Sequence, residues 1–90
     1  MNIDVKMLSE DPWEFVVMLR DDGVHGEYNV TMHEDDFEHY GHEAEPSELI
    51  EATFKFLLAR EEPDMILESF GLSDVEKYYP EYSDEIVDYL

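Results

Sequence analysis

Three histidines near the middle of the chain come closest, in type and spacing, to a metal site. His39 and His42 lie three residues apart, a spacing that can place two side chains on one helix face, and His33 is near them. Imidazole nitrogens together with a carboxylate such as Asp35 suit zinc. Because Gly41 is predicted to end the helix between the two histidines, exposed polar side chains explain the same residues. We therefore expect no metal or other cofactor, with His33, His39 and His42 as the candidates if a metal binds.

Other residue types used in catalysis occur without a supporting arrangement. The chain has no cysteine, which excludes disulfides and a thiol nucleophile. Its serines lie where turns and helix ends favour a hydroxyl group, and none lies in a G-x-S-x-G turn. The paired acids Asp21 and Asp22 lack the ordered D-x-D-x-D-G loop of a calcium site. The sequence predicts a protein that is not an enzyme.

The charge balance is the most unusual property of the chain. It has 25 acidic residues against 5 lysines and arginines, a formal net charge of -20. This excess repels nucleic acid and anionic membranes and attracts basic partners, so we expect no direct nucleic-acid binding. The acids suit a solvated surface adapted to a salty, halophilic cytoplasm, or they imitate the phosphates of DNA and inhibit a nucleic-acid-binding protein. Because they occur in every segment rather than in one block, we favour the solvated surface.

Length and hydropathy place limits on organisation and location. Ninety residues predict a single domain over residues 1 to 90, large enough to bury roughly 60 to 65% of its unfolded surface. The N-terminus lacks the pattern of a signal peptide, and no apolar run approaches the ~18 residues that span a bilayer. We expect a cytoplasmic protein without membrane contact.

Hydrophobic periodicity predicts an α+β fold. A three-stranded antiparallel meander is followed by a short helix, one main helix packed on the sheet, and short C-terminal helices. The strands are predicted at about residues 2 to 8, 13 to 20 and 24 to 32, and the helices at about 34 to 40, 46 to 60, 63 to 70, 74 to 79 and 84 to 90.

The main helix, residues 46 to 60, holds the densest apolar stretch, and the other elements must cover its broad apolar stripe. The short helix over 74 to 79 is predicted from a capping box formed by Ser73 and Glu76. Ser83 is expected to cap the last helix.

Two sets of apolar side chains are candidates for an interaction surface. Val16 and Met18 are predicted on the face of the sheet that points away from the main helix. Three alternatives are open for them: a C-terminal helix covers them, they are isolated exposed residues, or they form a partner contact. Tyr78, Tyr79 and Tyr82 suit either packing under the last helix or a binding surface. We expect a non-enzymatic interaction or accessory protein whose protein partner is unknown, with a basic partner suiting the charge. We expect the protein itself to be a monomer or a weak homodimer.

The second half of the chain carries a phrase that resembles a known family. The phrase consists of FKFLLAREEP at residues 54 to 63, Ile66-Leu67, FGLS at residues 70 to 73 and YYPEY at residues 78 to 82. It resembles a family of small uncharacterised prokaryotic proteins that have an N-terminal β-hairpin region. The resemblance covers about residues 46 to 82 and implies a shared fold but no activity.

Overall fold

The computed structural model describes residues 2–21, 23–41 and 43–90 and has the predicted α+β class. Its strands are β1 (Asn2–Glu10), β2 (Trp13–Asp21), β3 (Val24–Met32) and β4 (Ser69–Gly71). The α-helices are α1 (Glu34–Tyr40), α2 (Pro46–Leu58), α3 (Leu72–Tyr78) and α4 (Tyr82–Glu85), with 3₁₀ turns at Pro63–Met65 and Ile86–Tyr89. Within these residues, none of the helices is long and apolar enough to cross a membrane.

The described strands form one mixed sheet in the order β1-β2-β3-β4. The first three pair antiparallel, as in the predicted meander, and β4 adds a short parallel pairing in which Asn29, Val30 and Thr31 face Ser69, Phe70 and Gly71. The prediction of a purely antiparallel three-stranded sheet was therefore incomplete. β1 also continues to Glu10, past a bulge between Met7 and Ser9.

The helix predicted over residues 63 to 70 is wrong. Only Pro63–Met65 make a 3₁₀ turn, and Ile66 is already extended, with a φ of -75° and a ψ of 134°. The open edge of β3 explains the difference, because its backbone groups need partners that a helix does not provide. The Asn29 N–H donates to the carbonyl of Glu68 at 2.7 Å, and the β4 pairing follows directly.

The C-terminal helices begin elsewhere than predicted. The Gly71 N–H donates to Asp74 Oδ2 at 3.1 Å, so α3 begins at Leu72 and not after Ser73. The last helix is α4 and a 3₁₀ turn instead of a helix over 84 to 90, and Ser83 lies inside α4 instead of capping it. A carboxylate contact therefore sets the start of α3, whereas α4 begins without a side-chain cap.

Helix α2 is apolar on two opposite sides. Phe54 faces the sheet, with its ring centroid 5.4 Å from that of Tyr28. Phe56, two residues further along and so on the other side of the helix, meets Tyr82 at 5.1 Å and Tyr89 at 5.8 Å. Both phenylalanines are fully buried. The helix is therefore the middle layer between the sheet and the C-terminal turns.

One buried polar contact joins α2 to the C-terminal layer. The Thr53 hydroxyl donates to the Leu49 carbonyl at 2.8 Å, so the Tyr82 hydroxyl, 2.7 Å away, must donate to Thr53 Oγ1. Both side chains have no exposed surface. Burial raises the pKa of Tyr82, so the hydroxyl keeps the proton that this bond needs.

We expect Thr53→Val to lower the free energy of unfolding by about 1 to 3 kcal/mol, since valine keeps the shape but leaves the buried Tyr82 hydroxyl without an acceptor. Urea titration of Thr53→Val, Tyr82→Phe and the double variant measures the contact. The double variant should lose less unfolding free energy than the two single variants lose in sum, because it buries no unpaired hydroxyl. Strictly additive losses would show that the two hydroxyl groups are not coupled.

A second polar contact fixes α3 against α1. Tyr40 OH donates to Glu76 Oε1 at 2.8 Å. The hydrogen bond from Tyr40, followed by one from Ser83, lowers the pKa of Glu76, while burial and then Glu76 raise the pKa of Tyr40. Because the folded state lowers the pKa of this carboxyl, its stabilisation is present above about pH 4.3 and is lost as the pH falls through the lowered pKa.

We expect Glu76→Gln to destabilise the protein at pH 7 relative to Glu43→Gln, an exposed control in the turn before α2 that removes the same charge. The control cancels the relief of general repulsion that any lost carboxylate brings. The difference in unfolding free energy between the two variants should shrink as the pH falls below about 4.3. Chemical denaturation from pH 7 to pH 3 measures it, and a difference that is constant over this range would contradict the assignment.

Candidate interaction surface

Of the three candidate metal ligands, the structure describes His33 and His39. His33 and His39 are exposed at the two ends of α1, and His39 packs its ring edge-on against Tyr40 at 4.6 Å. The His33 N–H donates to Asp36 Oδ2 at 3.0 Å. His42 lies outside the described residues. Over residues 2–21, 23–41 and 43–90, no group of three His, Cys, Asp or Glu residues has the arrangement to hold a metal ion.

The five candidate surface residues fall into three different environments. Met18 is 44% exposed and Val16 is half-buried, both on the outer face of the sheet. The C-terminal segment does not cover them, because it packs on α2 at the opposite side. The prediction that Tyr82 contributes to an interaction surface is wrong, because this side chain is fully buried between Tyr40 and α2.

The remaining two tyrosines line an apolar depression, which we call the C-terminal groove. It has a volume of about 200 Å³ and lies between the end of α2, the turn after it, β4 and α3. Its apolar lining consists of Leu57, Met65, Ile66, Leu67, Phe70, Val75, Tyr78 and Tyr79, and Glu61 and Asp74 complete it.

Three side chains on the groove leave much of their apolar surface in water. Met65 is 70% exposed, Tyr78 is 67% exposed and Leu67 is 53% exposed. Beneath them, Ile66 and Val75 are buried in the core. The backbone changes at Ile66 from the 3₁₀ turn that ends at Met65 to an extended conformation, and Ile66 turns inward while Met65 and Leu67 turn outward. Clustered exposed apolar side chains of this kind are typical of binding sites.

Carboxylates border the groove on two sides. Tyr79 OH donates to Glu61, and this bond, followed by burial, raises the pKa of the tyrosine. The Gly71 N–H, followed by Lys77, lowers the pKa of Asp74, so that it remains charged in mild acid. The groove therefore combines an apolar lining with two carboxylates, of which Asp74 is ion-paired with Lys77 at 3.3 Å and Glu61 accepts the hydrogen bond from Tyr79.

A second, more polar depression of about 540 Å³ lies on the other side of the Pro63–Met65 turn. Glu27, Asp64 and Glu68 line it, and it shares Ile66 with the C-terminal groove. Burial raises the pKa of Tyr28, and the negative charges of Asp64 and Glu68 raise it further. The acidic border thus continues past the turn.

Met65 and Leu67 are the surface residues that sequence reasoning missed. Both were assigned to a helix over 63 to 70 whose apolar side would have faced the core. A signal was present in the order Met65-Ile66-Leu67, because three consecutive apolar residues cannot all turn inward if the segment is extended.

Comparison with protein-family models, with curated proteins and with solved structures finds no match to this chain.

Proposed function

We propose that the protein is a non-enzymatic interaction protein whose C-terminal groove binds a short apolar and basic segment of a partner protein. The observation that carries the proposal is the exposure of Met65, Leu67 and Tyr78 around one depression with acidic borders. An unbranched methionine adapts its shape to different apolar partners. A partly exposed tyrosine offers an aromatic contact of the kind enriched at binding hot spots.

Charge determines the chemistry of the partner segment. Glu61 and Asp74 lie in the groove, and the whole chain has a formal net charge of -20. A segment that carries lysine or arginine beside its apolar residues would be attracted to the groove and oriented by its borders. An acidic segment would meet repulsion at every approach. We therefore expect partner selection by charge and anchoring by apolar contact.

Binding can be tested with a synthetic helical peptide that has leucine on one face and lysine on the other. Its control is the same peptide with glutamate in place of lysine. We expect the lysine peptide to shift the methyl NMR signal of Met65, while the signals of buried Met32 and of Met18 on the outer sheet face stay in place. Binding should weaken as salt rises, because screening removes the attraction between the peptide and the borders.

Two matched substitutions distinguish binding in the groove from non-specific binding to exposed apolar side chains. Leu67→Ser should lower the affinity for the lysine peptide by about tenfold or more, as expected when roughly 1.4 kcal/mol of apolar contact is lost. Val87→Ser removes an apolar side chain of similar exposure, 48% against 53%, away from the groove and should change the affinity less than twofold. Equal binding of the glutamate peptide, or equal losses in the two variants, would overturn the proposal.

A further inference from the structure

Strand β1 is an open edge of the sheet, and its charges are arranged to match a second copy of itself. It pairs only with β2 among the described strands, so alternate residues present unpaired N–H and C=O groups to solvent. We propose that two copies of the chain associate through antiparallel pairing of their β1 strands around Val5, which joins the two sheets into one.

Within residues 3 to 7, the regular part of β1 before its bulge, only one symmetric register brings opposite charges together. In an antiparallel pair, opposed residues share a face, so a twofold axis perpendicular to the sheet must set one residue against its own copy. An axis at Asp4 or at Lys6 opposes two like charges. An axis at Val5 opposes Asp4 with Lys6 of the other copy, twice, and opposes Ile3 with Met7, also twice.

The exposure of these residues agrees with that register. Asp4 and Lys6 are exposed on the outer face, and Met7 is 38% exposed on the inner face beside half-buried Ile3. Asp4 Oδ2 also lies 2.5 Å from Arg20 Nη2 of the same copy, which holds the carboxylate on the outer face. The bulge between Met7 and Ser9 limits regular pairing to residues 3 to 7.

Charge opposes contact at this edge only weakly. Strands β1 and β2 each contain two acids and one base, a net charge of -2 over both strands in a chain of net charge -20. The local repulsion between two copies is therefore small here. The long-range repulsion between them remains, and screening over about 8 Å at physiological salt reduces it, so association should strengthen with salt.

The test uses two charge variants that cannot pair with themselves but can pair with each other. Asp4→Lys opposes lysine with lysine, and Lys6→Asp opposes aspartate with aspartate. A mixture of the two restores two opposite-charge contacts in a heterodimer. Sedimentation equilibrium in 0.5 M NaCl should show a weak wild-type dimer, at least tenfold weaker self-association of each variant, and recovered association in the 1:1 mixture.

Folding and general charge effects are controlled in the same experiment. Lys77→Asp in α3 makes the same charge change as Lys6→Asp away from the edge and should leave dimerisation unchanged. Circular dichroism and thermal melting verify that each variant is folded. A wild-type protein that stays monomeric at millimolar concentration, or folded variants whose mixture fails to associate, would overturn the proposal. The peptide experiment on the C-terminal groove is independent of either result.

Discussion

The structure depends on a helix that is apolar on two opposite sides. Phe54 and Phe56 are both fully buried, yet they point in opposite directions from α2. A sheet can cover only one side, so the chain after α2 must return and cover the other. This requirement explains why a 90-residue protein has three layers, and why its last turns, which are too short to be stable alone, are ordered against α2.

The third layer is held by contacts that an apolar surface alone could not make specific. The Tyr82 hydroxyl can donate to Thr53 in one register only, and Arg60 adds a second constraint. Its guanidinium lies 3.7 Å from the centroid of the Phe56 ring and forms ion pairs with Glu81 at 3.3 Å and Glu85 at 3.0 Å. Stacking on the ring and pairing with two carboxylates suit arginine better than lysine. Together these contacts fix the positions at which the aromatic side chains of the C-terminal turns pack against α2.

The sequence predicted the parts of the fold that are set by local periodicity and missed those set by distant partners. Alternation over residues 2 to 8 and 24 to 32 identified the first and third strands, and Pro46 with the following apolar residues identified α2. Ile66 and Phe70 have a spacing that also suits a helix, and only the unpaired edge of β3 decides that the segment is extended. The C-terminal groove was missed for the same reason, because Met65 and Leu67 are exposed where the chain leaves a short 3₁₀ turn instead of continuing as a helix to residue 70. Tyr78 and Tyr82 look alike in sequence, and only the position of α2 separates them.

The large negative charge opposes self-association through the exposed groove. Side chains such as Met65 and Tyr78 would ordinarily promote self-association through the groove, since contiguous apolar surface is unstable in water. Carboxylates at Glu61 and Asp74, with the rest of the chain at -20, oppose the approach of another copy at that place. In the function we propose, a basic segment would meet attraction instead of repulsion, so the charge that opposes a second copy at the groove would also select the partner. Strands β1 and β2 carry a net charge of only -2, so local repulsion is weak at the edge where we propose that two copies pair.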